Sequence, residues 1–248
     1  MKQFKADLHI HTLLSPCGDL DMTPGNIIEQ ARIKGLDIVG ITDHNSTRHT
    51  LLCERIAGNY GIMVLKGAEV TTKEEAHCLA FFEKDEEIIE FQSFLESKLP
   101  PIKNNPDKFG YQVVVDEEEN IIDEVEYLLI SATDISLNEL QKYVSKLNGI
   151  FIPAHVDRPK FSLTSQLGFI PPDLKADAFE LSKHITKEAF IKSAGYLKDS
   201  TFTRSSDAHY IDDIGISTTS FTLESLSFEE IKKALSGVDG RKTVIDFY

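Results

Sequence analysis

The sequence predicts an α/β barrel, and three observations support this prediction. Short apolar runs rich in β-branched residues alternate with helix-length amphipathic stretches, the pattern of a sheet covered by helices. Five predicted strands end on a histidine or a carboxylate, as expected where strand ends converge on the active rim of a barrel. The 248 residues and 41% hydrophobic content suit one single-core barrel, although two small domains would also fit.

The first third of the chain is predicted to follow the order βαβαβ of a parallel sheet. Its strands are expected at residues 4–10, 36–41 and 63–70, and its helices at residues 23–34 and 47–59. The Thr23-Pro24 pair is typical of a helix start, and Gly35 stands where a C-cap belongs. A fourth strand at 76–82 and an acidic helix at 86–99 follow.

A break at Pro100-Pro101 precedes a different pattern. Two short runs, at 111–115 and 120–122, flank an acidic turn and predict an inserted β-hairpin within about residues 100–130. The alternation then resumes with helices at 137–147, 187–194 and 228–235 and strands at 150–154, 178–181, 201–205, 220–223 and 243–247. We find no repeat or linker, so one domain over residues 1–248 is expected.

Charge and composition exclude several classes of protein. The 26 basic and 40 acidic residues give a net charge of −14, which makes a nucleic-acid polymer an unfavourable partner unless a local patch or metal overrides it. The chain shows no secretory signal and no membrane span, which predicts a cytoplasmic protein. Three cysteines without CxxC spacing argue against a disulfide framework.

The first strand ends in an alternating set of Asp7, His9 and His11. A period of two places their side chains on one face of the strand, with Leu8 and Ile10 on the other. Two neighbouring imidazoles are a candidate metal-ligand pair, although strand histidines also serve as hydrogen-bonding groups in a core. The other strand ends favour the metal interpretation.

Further candidate ligands end four other predicted strands: His44, Glu69, His155, and Asp207 with His209. Nitrogen and oxygen ligands without paired thiolates suit Zn, Mn or Fe rather than a closed structural cysteine site. Coordination positions left open for water or substrate would make such a centre catalytic.

Taken in order, these segments resemble the motifs of the PHP (polymerase and histidinol phosphatase) superfamily across residues 4–210. The matching segments are Asp7-Leu8-His9-Ile10-His11-Thr12, Thr42-Asp43-His44-Asn45, Gly67-Ala68-Glu69-Val70, Ala154-His155-Val156 and Ser206-Asp207-Ala208-His209. The resemblance implies a distorted (βα)7 TIM-like barrel, here with an inserted β-hairpin, and a phosphoesterase centre of two or three divalent metal ions. Residues 1–248 would then form a single PHP-type barrel domain.

The resemblance also implies a ligand set for each ion. The first ion would be held by His9, His11, Glu69 and Asp207; the second by Glu69 as a bridge, His77 and His155; the third by His44 and His209. His77 begins its strand instead of ending it, so a surface position is its alternative. Relatives have a further ligand of the third ion in the segment where this chain has Cys17 and Asp19. Either residue could bind the ion, or neither does and the third site is weak or vacant.

Other polar residues near these motifs are candidates for supporting roles. Arg158 could grip a phosphate or form a structural salt bridge, and Asp43, like Asp7, could orient an imidazole. His184, just beyond a strand end, could face substrate, whereas His49 within a helix is expected to face solvent.

The function expected from these residues is hydrolysis of a small phosphate ester by metal-activated hydroxide. Glu69 would bridge two ions, and Arg158 with the third would offset charge on the phosphoryl oxygens. A metal-dependent amidohydrolase and a non-catalytic metal-binding regulatory barrel are the alternatives. The sequence indicates no membrane partner, and it leaves the substrate, the metal and the oligomeric state open.

Overall fold

A computed structural model of the chain describes residues 1–245. Its strands are β1 Lys2–Ile10, β2 Ile38–Ile41, β3 Met63–Thr71, β4 His77–Phe82, β5 Val113–Val115, β6 Ile121–Glu124, β7 Ile150–Pro153, β8 Phe179–Leu181, β9 Phe202–Arg204, β10 Thr219–Leu223 and β11 Lys242–Ile245. Its α-helices are α1 Pro24–Ile33, α2 Thr50–Gly58, α3 Asp85–Lys98, α4 Pro106–Phe109, α5 Leu137–Lys146, α6 Leu163–Leu167, α7 Lys187–Ser193 and α8 Phe228–Ser236. Residues 246–247 of the predicted closing strand lie outside the described residues.

Seven strands form one mixed sheet in the order β11-β10-β1-β2-β3-β4-β7. The predicted parallel arrangement holds for β1, β2 and β3. It does not extend to β4, which runs antiparallel to both β3 and β7. The physical reason is the short connection between Thr71 and His77, since a parallel crossover needs about a dozen residues or more.

The seven-stranded sheet is curled. A second, two-stranded parallel sheet of β8 and β9 contacts both of its edge strands, which a flat sheet would hold far apart. At one edge, Val156 N donates to Glu180 O in β8 at 2.8 Å. Near the other, Arg204 N in β9 donates to Thr219 Oγ1 in β10 at 2.8 Å. Strands β5 and β6 pair antiparallel in a separate sheet.

The apolar core fills the inside of the curled sheet and the spaces beneath its helices. Strand side chains such as Leu8, Leu79 and Ile152 form one cluster, which α8 joins through Phe228 and Ile231. Helices α1 and α2 pack over β1 and β2 in a second cluster, and α3, α5, α6 and α7 cover the β4–β7–β8 region in a third. This packing leaves one end of the strands to polar side chains.

Strand β1 departs from simple alternation next to these polar side chains. Its register with β2 shifts between Asp7 and Ile10, which is the signature of a β-bulge. Leu8 consequently packs in the cluster inside the sheet, while Ile10 packs beneath α1 and α2. The expectation that Leu8 and Ile10 share one face is therefore wrong.

The described helices include none with both the length and the apolar character that crossing a membrane requires.

Candidate metal centre

A cluster of histidines and carboxylates lies where the strands β1, β2, β3 and β7 end. It unites His9, His11, His44, His77, His155 and His209 with Glu69 and Asp207. His77 begins its strand, yet it reaches the same place because β4 is reversed relative to β3. The start of an antiparallel strand lies at the same edge as the ends of its parallel neighbours.

Glu69 lies at the middle of this cluster and is almost completely buried. Five imidazoles reach within 3.4 Å of its carboxylate: His9 at 3.2 Å, His11 at 3.4 Å, His44 at 3.1 Å, His77 at 2.9 Å and His155 at 3.1 Å. Burial acts to raise the pKa of Glu69, but the facing histidines hold it well below its ordinary value. This lowered pKa favours the ionised carboxylate, which is the form that binds a cation.

Three sets of these side chains could each hold one metal ion. Within each set, one ligand atom per residue lies within 4.8 Å of all the others: His9, His11, Glu69 and Asp207; His44, Glu69 and His77; His11, His44 and His209. The first set brings together the four residues expected at the first ion. The structure also places His155 Nε2 3.1 Å from Glu69 Oε1.

The donor set fits divalent cations. The Nε2 atoms of His9 and His11 approach to 3.1 Å, so both rings direct a nitrogen at the same region. His44 Nδ1 is buried and forms no hydrogen bond within residues 1–245, although Glu69 Oε2 lies 3.1 Å away. Imidazole nitrogens combined with carboxylate oxygens suit Zn, Mn or Fe.

Asp43 supports the cluster through hydroxyl groups and does not contact an imidazole itself. Its carboxylate accepts from Thr12 N and Ser15 Oγ, each at 2.7 Å, and from Thr12 Oγ1 at 2.8 Å. Ser15 Oγ in turn lies 3.0 Å from His11 Nδ1. Asp43 was predicted to orient an imidazole directly, but it reaches His11 only through Ser15.

Asp7, likewise, accepts hydrogen bonds from backbone N–H groups and not from a histidine ring. Its buried carboxylate accepts from Ser206 N at 2.9 Å and from Gly215 N at 2.8 Å. These bonds lower its pKa, but burial has the larger effect and raises it to about 6. Asp7 therefore anchors the loop that carries Asp207.

Glu180 in β8 is a residue of this centre that the sequence analysis did not assign. Its buried Oε1 lies 3.1 Å from His9 Nδ1 and accepts from His155 N at 3.2 Å. A carboxylate on Nδ1 fixes the imidazole tautomer that leaves Nε2 free for a metal ion. The only sequence signal was an acidic residue within an otherwise apolar predicted strand.

His49 does not face solvent, and that expectation is wrong. Its side chain is fully buried between Thr12 Oγ1, 2.7 Å from Nδ1, and Val115 N, which donates to Nε2 at 3.0 Å. The β5–β6 sheet is therefore tied to the loop that follows β1. Burial lowers the pKa of His49, which favours the neutral ring.

The two alternatives for the loop after β1 occupy different positions. Cys17 is exposed at the wall of the cavity over the cluster, where partial loss of solvent and the nearby Glu69 raise the pKa of its thiol to about 12. Asp19 Oδ1 instead accepts from Asp21 N at 2.9 Å, which closes a local turn. Neither residue belongs to the three sets described above, so their roles stay predictions.

A cavity of about 450 Å³ opens over the cluster. Its wall includes Arg158, whose guanidinium pairs with Asp207 at 2.5 Å. The arginine therefore forms the predicted salt bridge and also lies where it could bind a phosphate. The neighbouring Asp157 instead accepts from Ser182 N at 2.7 Å. His184 is exposed and is not part of the cavity wall, so a substrate contact there stays a prediction.

The family model of the PHP domain matches residues 7–158. The chain belongs to the PHP domain family. The predicted resemblance is confirmed, and every proposed ligand from His9 to His155 lies within the matched segment. Asp207 and His209 lie beyond it and join the cluster through the fold.

Relatives of this PHP chain include longer proteins. Uncharacterized protein YqxK of Bacillus subtilis is 27% identical over 278 aligned positions, which cover 100% of this chain but 65% of YqxK. Endonuclease Q of Pyrococcus furiosus, a lesion-specific endonuclease, superposes with a TM-score of 0.69 at 23% identity, covering 98% of this chain and 58% of the endonuclease. The chain thus spans about two thirds or less of these proteins.

A second solved structure has a similar length. It comes from a Bifidobacterium adolescentis protein assigned as a metal-dependent phosphoesterase, with a TM-score of 0.57 and 21% identity over 83% of this chain and 87% of the other. These likenesses show a shared fold, and the names of the neighbours agree with the predicted hydrolase class.

The prediction that a nucleic-acid polymer is an improbable partner for this PHP chain is wrong. The same fold occurs in an endonuclease Q complex with a 27-mer duplex substrate that carries an abasic lesion at the active site. The net charge of −14 is an average over the surface, whereas binding at the cavity depends on local cations such as Arg158 and bound metals. Overall charge therefore does not exclude nucleic acid.

Proposed function

We propose that this PHP chain is a metal-dependent phosphoesterase that cleaves a phosphate ester at the cluster around Glu69. The observation that carries the proposal is the approach of five imidazoles to one buried carboxylate beneath an open cavity. A purely structural metal site would be closed, whereas this cluster faces a space large enough for substrate.

The ligand sets suggest two or three divalent ions, with Zn, Mn and Fe as the candidates. In the expected assignment, His9, His11, Glu69 and Asp207 would hold the first ion, Glu69, His77 and His155 the second, and His44 with His209 the third. The sets in the structure agree for the first ion, but they group His44 with Glu69 and His77 and add His11 to His44 and His209, while His155 reaches Glu69 alone. When bound, the ions would lower the pKa of a coordinated water toward about 7 and polarise the phosphoryl oxygens. Cys17 or Asp19 remains the candidate for completing the third site.

The chain itself would position the ester through the residues of the cavity wall. The Arg158 guanidinium is held by Asp207 and has a side chain that is 39% exposed, so it can still donate to a phosphate. Lys160 adds a second cation to the same wall. Glu180 and Ser15 would keep the ring nitrogens of His9 and His11 directed inward.

We infer that the curled sheet and the β8–β9 pair together form the distorted (βα)7 barrel expected from the sequence, with β5–β6 as the inserted hairpin, in a single domain of residues 1–248. Contacts of β8 with β7 and of β9 with β11 support closure of the ring.

The test begins with chelation and dialysis, followed by reconstitution with Mn or Zn. Activity should disappear without metal and return with it, measured as phosphate or product released from phosphomonoesters, phosphodiesters and lesion-bearing duplex DNA. Asp207→Asn should lose metal and activity, whereas the exposed Asp134→Asn should retain both. Full hydrolysis by metal-free protein, or turnover of amide substrates alone, would refute the proposal.

A further inference from the structure

Phe161 is an aromatic residue of the cavity wall that no step of the proposed hydrolysis uses. It is 46% exposed, yet one face of its ring stacks on His77 with centroids 5.0 Å apart and planes inclined by 11°. Because Phe161 lines the cavity, the exposed part of its ring is available to a ligand bound there.

The position of Phe161 is held firmly by the backbone. Its carbonyl accepts from His77 N at 2.9 Å, and its φ of +57° is an uncommon, strained value for a bulky residue. The segment leading to it is closed by Arg158 N to His155 O at 2.9 Å and by Ser162 Oγ to Arg158 O at 2.6 Å. Strain of this kind persists where surrounding contacts enforce it, often at ligand sites.

The cavity wall divides into two chemical halves. Arg158 and Lys160, with the metal ligands below them, offer positive charge to a phosphate. Phe161, Pro159 and Ile130 offer an apolar surface to whatever is attached to that phosphate. The volume of about 450 Å³ lies within the range of sites for small organic ligands.

We propose that Phe161 is a specificity-determining residue, on which a planar aromatic group of the phosphate ester stacks. This inference rests on the proposed function, because the phosphate must lie at the metal ligands for its substituent to reach Phe161. The favoured substrate class is a phosphate ester that bears a nucleobase. An aliphatic sugar phosphate would leave the aromatic surface exposed.

A matched pair of probes isolates the contribution of the ring. Adenosine 5′-monophosphate and ribose 5-phosphate carry their ester on the same carbon of the same sugar and differ in the base. The Mn-reconstituted wild type should show a higher kcat/KM for the nucleotide. Phe161→Leu should reduce this preference by about tenfold, the size expected for loss of one base–aromatic stack, and Phe161→Trp should retain it.

The control variant is Phe169→Leu, because Phe169 is an exposed phenylalanine on the same segment but outside the cavity wall. Its preference should match that of the wild type. Metal content of all variants must also be measured, since the Phe161 ring touches His77. An equal loss of kcat/KM for both probes in Phe161→Leu would show a role through His77 and would overturn the proposal.

A binding measurement keeps this inference separate from the proposed function. Fluorescence of 2-aminopurine riboside 5′-monophosphate falls when its base stacks, so wild type and Phe161→Trp should quench it and Phe161→Leu should quench it far less. Absence of hydrolysis of every phosphate ester tested with the metal-reconstituted protein, together with Phe161-dependent quenching, would defeat the phosphoesterase proposal and support the stacking role. Quenching that does not depend on Phe161 would overturn the stacking role.

Discussion

Glu180 should act as a positioning residue for the metal centre, and two substitutions separate its charge from its hydrogen bonds. Glu180→Gln keeps the shape and an acceptor oxygen but removes the charge, whereas Glu180→Ala removes both. The carboxylate meets His9 Nδ1 at 3.1 Å and His155 N at 3.2 Å in a buried environment. Because the site is buried, water does little to weaken either hydrogen bond.

The expected magnitudes follow from these two contacts. Exchanging a charge-assisted hydrogen bond for a neutral one costs about 1–1.5 kcal/mol, which is about tenfold in metal affinity. The alanine variant leaves two buried donors without an acceptor, each at about 1 kcal/mol or more, for a total of roughly thirtyfold or more. Both values lie within the roughly 10- to 100-fold range typical of residues behind a metal ligand.

The assay is a competition titration against a chromophoric chelator, with Zn and Mn in turn. Glu188→Gln, an exposed carboxylate on α7, is the control and should bind metal as the wild type does. Nitrogen NMR of the His9 ring should show loss of the single tautomer in Glu180→Ala. Wild-type metal affinity in both Glu180 variants would refute the positioning role.

The remaining predictions concern other residues around the cavity. Glu69→Gln should bind fewer ions and lose most turnover, because an amide cannot bridge two cations with negative charge; two full sites with normal turnover would contradict it. Of Cys17→Ser and Asp19→Asn, one should lose about one metal per chain by elemental analysis, and unchanged content in both would exclude this loop as a ligand. His184→Ala should change KM more than kcat with metal content intact, and loss of metal would argue against a substrate contact.

Local periodicity was sufficient to predict the first three strands and the candidate ligands at their ends. His9, His11, His44 and Glu69 follow buried apolar runs, and such runs specify both the strand and the edge where it stops. The same logic could not give the direction of β4, because direction depends on the length of the preceding turn. His77 was consequently the least secure of the proposed ligands.

Contacts between residues far apart in the sequence could not be predicted from local patterns. Glu180 meets His9 over a separation of 171 residues, and His49 meets Val115 over 66, so neither contact leaves a local signal. His49 lies at the start of a helix, where solvent exposure is the ordinary expectation, but packing of β5 against α2 buries it. Phe161 gave no signal either, since its role depends on the cavity formed around it.

The reversed strand β4 has a consequence for the order in which the centre forms. Glu69 and His77 are separated by 8 residues within one hairpin, so this pair can meet early, at a small cost in chain entropy. The loop that carries Asp207 is joined to β1 by the bond from Ser206 N to Asp7, over a separation of 199 residues. Such distant contacts form slowly, and the complete centre therefore exists only in fully folded chains. A metal ion held by both the β3–β4 hairpin and the loop that carries Asp207 would bind only the folded chain. Its binding would therefore stabilise the native state and slow unfolding, so tight metal binding would report that folding is complete.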